Sequence, residues 1–291
     1  MACLTEHPGW QSWLQGIRQK QRASGPVMDL HVHPLKDSLP GIQDAVDDAQ
    51  QLLAAARRFG ISHLCISSLG VGYPLQPEPQ EYRDANDYVL RMRDFAPDSI
   101  LPFCYVAPDP MDAALWEIDR CLGENGMVGI KLWVSRRASD PVLDPIIERA
   151  QRYQVPVLQH AWLKTTGNLP QESTPADIAA SARRHTGAKL IMAHLYGANP
   201  RGLEAIRELP NVVVDTSGGD PEYGMLELAV ARIGAERVVF GSDAPGRHFG
   251  ISLAKVLGAK LPEEVKNAIL WNNAVRVLPD WLNLPFMTGV A

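Results

Sequence analysis

Eight short apolar runs recur along the chain at fairly regular distances, and they limit the fold more than any other feature. They are "VMDLHV" (27–32), "ISHLCISSL" (61–69), "ILPFCYVA" (100–107), "MVGIKLWV" (127–134), "VPVLQHA" (155–161), "AKLIMAHL" (188–195), "NVVVDTS" (211–217) and "RVVFGSD" (237–243). Most are nearly continuous in Val, Ile and Leu. That pattern fits strands buried on both faces of a parallel sheet better than the alternation of a one-sided sheet. Between them, segments such as "AVDDAQQLLAAARRF" and "PADIAASARRH" place apolar residues at three- and four-residue steps among helix formers. Asp, Asn or Thr followed by Pro favours a helix start. The pair occurs at Asp109-Pro110, Asp144-Pro145, Thr174-Pro175, Asn199-Pro200 and Asp220-Pro221, with Asp112 and Asp177 placed to suit the positive end of the helix dipole. The series predicts an α/β chain, a (β/α)8 barrel in one domain over 27–279. Residues 1–26 read as a helical N-terminal extension, 262–278 as a closing C-terminal helix and 280–291 as a tail. An open doubly wound sheet is the alternative, but its G-x-G-x-x-G fingerprint after the first strand is absent.

Active sites of such barrels sit at the carboxyl ends of the strands. Strand one ends with His31 and His33, which share a strand face because successive side chains alternate. Strand four carries Lys131, strand five ends with His160, strand six with His194, strand seven with Asp215 and strand eight with Asp243. Of the eight histidines, four fall at these ends, which random placement would rarely do. Neutral imidazoles and a carboxylate converging at one barrel mouth are what a catalytic zinc site requires, with one position open for water.

The bulk properties narrow the class. Net charge is −5 and there is no basic tract, so no nucleic-acid partner is expected. No apolar run of about 18 residues occurs, so no membrane span is expected. The start lacks a basic region followed by an apolar core and does not read as a secretory signal. Cys3, Cys65, Cys104 and Cys121 form no C-x-x-C pair. They read as reduced thiols of a cytoplasmic protein.

The motifs "DLHVH" (29–33), "GIKL" (129–132), "LQH" (158–160), "MAH" (192–194) and "FGSDAP" (240–245) resemble the amidohydrolase superfamily, in particular its amidohydrolase-2 group of metal-dependent barrels. "AILWNNAVRVL" (268–278) resembles the closing helix of that group. The resemblance implies that His31, His33, His160 and Asp243 surround a divalent metal, usually Zn2+, with Mn2+ as the alternative. It implies that His194 is a catalytic electrophile or a ligand of a second metal. Lys131 has three readings: a carboxylated bridge between two metals, a cation for a substrate carboxylate, or an ion-pair partner. The expected activity is hydrolysis of a small lactone, amide or cyclic ester by metal-activated water, with Asp243 moving the proton and His194 polarising the substrate. Two alternatives stand beside it: non-oxidative decarboxylation or hydration of an aromatic or unsaturated acid, and a non-catalytic metal-binding barrel.

The remaining candidates are peripheral. Trp133 and Trp162 follow strands four and five and read as apolar walls of a substrate pocket. Lys164, Arg247 and His248 read as further substrate-binding residues, and Arg136 and Arg137 as solvated charges. Asp29 reads as a support for a ligand or the barrel floor and Asp215 as the holder of a hydrogen-bond network or a residue facing the substrate, whereas His7, His63 and His185 read as non-ligands. Two long loops, 70–82 and 161–175, lie on the catalytic face, where loops set specificity. A small molecule is the expected partner, with self-association as a homo-oligomer.

Overall fold

The computed structural model describes residues 23–287. Eight parallel strands form one sheet in chain order, each followed by helix: β1 (Val27–Val32), α1 (Ala45–Arg57), β2 (Ile61–Ile66), α2 (Pro79–Phe95), β3 (Ile100–Tyr105), α3 (Met111–Ile118), β4 (Gly129–Leu132) and α4 (Asp144–Tyr153). The second half continues with β5 (Val157–Gln159), α5 (Pro175–Arg184), β6 (Leu190–Met192), α6 (Leu195–Ile206), β7 (Val212–Asp215), α7 (Met225–Ile233), β8 (Val238–Val239) and α8 (Phe249–Leu257). The sheet closes on itself. Leu30 N–H donates to the Phe240 carbonyl at 2.9 Å, Asp243 N–H to His31 at 2.8 Å and His33 N–H to Ala244 at 2.7 Å. The expected (β/α)8 barrel is therefore what the chain forms. Most of the predicted N-terminal extension, and residues 288–291 of the tail, lie outside the described residues.

Burial explains the continuous apolar runs. One buried cluster includes Leu101, Phe103, Leu158, Ile191 and Val239, and a larger one packs between strands and helices. The 262–278 segment is not one regular helix. It breaks into α9 (Glu263–Asn267), a π-turn (Ala268–Asn272) and α10 (Asn273–Val277), and Trp271 of that segment joins the first of these buried clusters. No helix among the described residues is long and apolar enough to cross a membrane.

The proline signals divide. Thr174 caps α5 as expected, with Pro175 at its first turn and Asp177 completing a reciprocal capping box. Pro110 and Asp144 sit one residue away from the expected helix starts, and Asp220-Pro221 lies in a loop ahead of α7. Asn199-Pro200 starts a helix as expected, but at a kink within α6: Asn199 sits at φ 50° and ψ 176°, since Pro200 keeps helical backbone from the residue before it, and its Oδ1 accepts from Arg201 N–H at 2.9 Å. Asp-Pro marks turns as readily as helix starts.

Candidate metal centre

The site is built from the floor upward. Asp29 Oδ1 accepts from His31 N–H at 3.1 Å and Ser242 N–H at 2.9 Å, joining the first strand to the segment after the last. Above it, His31 Nδ1 lies 2.8 Å from Asp215 Oδ2. A carboxylate can only accept, so Nδ1 carries the proton and the Nε2 lone pair faces the barrel mouth. His33 Nδ1 lies 2.6 Å from the Ser67 carbonyl, which fixes the same tautomer. The two Nε2 atoms then meet at 3.2 Å with Asp243 Oδ1 3.6 Å from each. Three acceptors facing one another in a buried space repel; Lys131 Nζ, 2.8 Å from His31 Nε2, relieves part of that repulsion, and a metal ion would join all three. Two ligand atoms about 2.0–2.1 Å from a tetrahedral ion stand about 3.4 Å apart, so this triangle fits a divalent metal.

Burial is also the main reason that the imidazoles stay neutral. It holds His31 and His33 well below the ordinary imidazole range, and the Lys131 charge adds to the effect. His194 is lowered by burial and then by its imidazole neighbours. His160 is lowered by burial against the opposing pull of Glu172. Neutral imidazole is the metal-binding form. Burial lifts the Asp243 carboxyl to about 7 against the opposing charge of Lys131. Lys131 Nζ is 2.8 Å from His31 Nε2, and burial lowers its amine to about 8.

Asp215 organises the second half of the site. It is 0% exposed and accepts from His31 Nδ1, from the backbone N–H groups of His194 and Ser217 at 2.9 Å each, and from the Ser217 hydroxyl. With the Ser217 proton given to Asp215, His194 Nδ1 donates to Ser217 Oγ at 2.8 Å. His194 Nε2 then faces His160 Nδ1 at 3.1 Å, while His160 Nε2 is 2.7 Å from Glu172 Oε1. Gly241 lets β8 lie this close, because a side chain there would meet the Cβ atoms of Asp215 and His31 at 3.0 Å.

The structure thus brings His31, His33 and Asp243 into one ligand group, and His31, His194 and Asp215 into another. His160 belongs to neither group and stands beside His194. All four histidines, Lys131 and Asp243 line one cavity of about 230 Å3. Trp133 and Trp162 line it, together with Tyr73, which no sequence signal singled out. Lys164 does not line the cavity; its amine is held 2.8 Å from both Glu172 oxygens. Arg247 and His248 line a neighbouring cavity against α1, where His248 Nδ1 caps α8 by accepting from Gly250 N–H. Arg136 pairs with Asp109 and Arg137 reaches the Pro170 carbonyl. His63 packs on Trp271 and His185 on Asp144, away from the site, and His7 lies outside the described residues. Glu172 was also missed, since nothing periodic marks a carboxylate in an irregular loop.

Solved structures of the same fold cover nearly the whole chain. A 2,6-dihydroxybenzoate decarboxylase from Rhizobium superposes with a TM-score of 0.68 at 19% identity, over 87% of this chain and 97% of its own. A dihydroxybenzoic acid decarboxylase from Polaromonas sp. JS666, solved with manganese and 2-nitroresorcinol, gives 0.68 at 18% identity, over 89% and 97%. A 4-oxalomesaconate hydratase from Rhodopseudomonas palustris gives 0.64 at 17% identity, over 88% and 97%. No curated protein sequence matches the chain significantly. The family model described as Amidohydrolase, of the amidohydrolase-2 type, matches residues 28–279, the span from the first strand through the closing helix. On that match the chain is a member of the amidohydrolase-2 family.

Proposed function

We propose that the chain is a metal-dependent lyase that removes carbon dioxide from a small planar aromatic acid. The observation that carries this reading is the cavity of about 230 Å3, walled by Tyr73, Trp133 and Trp162 directly over the His and Asp cluster. Aromatic walls favour a flat ring through stacked or edge contacts. The two decarboxylases and the hydratase of like fold support this alternative over the hydrolytic expectation.

His31, His33 and Asp243 would hold the divalent ion, and His160, whose unprotonated Nδ1 opens on the same cavity beside His194, would add a further ligand. When bound, the ion supplies a positive centre that draws charge from substrate oxygens. Lys131 adds a buried cation next to His31 for an anionic substituent. Tyr73 and Trp133, whose rings lie 5.9 Å apart, hold the ring plane. Asp243 donates the proton. As the bond between ring and carboxylate breaks, its electron pair stays on the ring carbon. That carbon takes the Asp243 proton, and neutral carbon dioxide leaves. The Asp243 side chain is 21% exposed, so water can return the proton. We place the protein in the cytoplasm, in keeping with the free thiols Cys65, Cys104 and Cys121.

The test is a paired screen of hydroxybenzoates and lactones with zinc- and manganese-loaded protein in deuterated water. Carbon dioxide and a phenol deuterated at the vacated carbon are expected. Acid release from lactones with no carbon dioxide from any hydroxybenzoate would restore the hydrolytic reading.

A further inference from the structure

The loop between β5 and α5 is tied to the site by a carboxylate that neither the ligand set nor the chemistry uses. Glu172 is 1% exposed. Its Oε1 lies 2.7 Å from His160 Nε2, its Oε2 accepts from Leu169 N–H at 2.9 Å, and both oxygens lie 2.8 Å from Lys164 Nζ. The carboxylate can only accept, so His160 Nε2 holds the ring proton and Nδ1 faces inward. The loop is also folded on itself. Lys164 N–H donates to Asn168 Oδ1 at 2.9 Å, and Asn168 Nδ2 donates to the Trp162 carbonyl at 2.7 Å. Trp162 lies against the His194 ring at 4.9 Å, and it seats on Gly197, where any Cβ would meet the indole at 2.7 Å.

We propose that Glu172, fixed in place by Lys164, is a positioning residue that aims His160 Nδ1 into the metal centre and links the order of the 162–172 loop to metal binding. The inference rests on the metal-centre reading above. It gives Lys164 a role as a brace rather than a substrate contact. Linkage is reciprocal: if the loop strengthens metal binding, metal must strengthen the loop. Carboxylate partners of metal-bound imidazoles commonly change metal affinity about 10- to 100-fold.

The test compares wild type, Glu172→Gln and Lys164→Met. Mn2+ dissociation constants come from competition with a chelating dye, and loop order from the rate of tryptic cleavage after Lys164 in wild type and Glu172→Gln. Glu172→Gln is expected to bind Mn2+ about 10- to 100-fold more weakly, and Lys164→Met several-fold more weakly. Saturating Mn2+ should slow cleavage in wild type and much less so in Glu172→Gln. A folded Glu172→Gln with wild-type affinity and wild-type Mn2+ protection would overturn the proposal, leaving Glu172 as a loop support only. If Glu172→Gln does not fold, Lys164→Met decides: weakened affinity supports the proposal and unchanged affinity overturns it. Wild type that binds no Mn2+ or Zn2+ would overturn the metal centre, and this inference with it.

Discussion

Asp243 lies at the rim with its side chain 21% exposed, whereas Asp215 beneath it is sealed at 0%. The two carboxylates therefore divide the work. Asn at 243 keeps one oxygen but loses the charge and the transferable proton. With His31 and His33 still in place, Asp243→Asn is expected to keep a substantial share of its metal. Its kcat should fall at least about a hundredfold, the loss typical for an acid–base group. Metal content and kcat measured on one preparation check this; near-normal kcat with bound metal would shift the proton-transfer role to His194. Asp215→Ala strands the donors that converge on one carboxylate. Each stranded buried donor costs about 1–3 kcal/mol, so a loss of at least about 3 kcal/mol in urea unfolding is expected, together with weaker metal binding. Unchanged stability would contradict the role assigned to Asp215. The sequence placed Asp215 at a strand end but could not reveal that it serves two histidines at once, because that depends on β1, β6 and β7 meeting in space.

At the scale of elements, the segment after β1 carries a pH-sensitive joint. Asp37 accepts from Ser68 Oγ at 2.8 Å and Leu69 N–H at 2.9 Å, tying it to the loop after β2. Burial lifts its carboxyl to about 7; Ser68, Leu69 and Lys36 oppose the rise, and Asp48 adds to it. Between the unfolded value near 3.9 and about 7, the folded state holds a proton that the unfolded chain has lost. Stability from this group is therefore full below about pH 4 and falls as pH rises toward 7, by at most about 1.4 kcal/mol per pH unit. Asn imitates the protonated acid, donating to Ser68 and accepting from Leu69. Asp37→Asn should match wild type near pH 4.5 and exceed it in stability at pH 8, as read by urea unfolding at both values. Equal pH slopes in the two proteins would contradict the burial argument. Elements differ in how far the sequence discloses them. Thr174-Pro175 could be read as a start because its hydroxyl and Asp177 supply a local cap. Asn199-Pro200 could be read as a start for the same reason, its side chain capping Arg201 N–H, but the short helical turn that runs into it and leaves a kink within α6 could not. Tyr73 and Glu172 stayed hidden in irregular loops, where no period marks which side chains turn inward.

For the molecule as a whole, the barrel was legible because a parallel sheet covered on both faces demands unbroken apolar strands. The ring of histidines was legible because barrel topology gathers strand ends into one mouth. Which imidazoles pair was not, since His160 turns toward His194 and Glu172 through contacts far apart in sequence. The fold should not depend on the centre, given the large apolar core around it. The measurement that tests the account most directly is metal analysis of wild type and the His31→Ala/His33→Ala double variant, each loaded with Mn2+ or Zn2+ and freed of excess. Wild type is expected to hold about one ion per chain, and the double variant close to none while keeping its far-UV circular dichroism. Full metal occupancy in the folded double variant, or two ions in wild type bridged by a carboxylated Lys131, would contradict the single centre built on His31, His33 and Asp243.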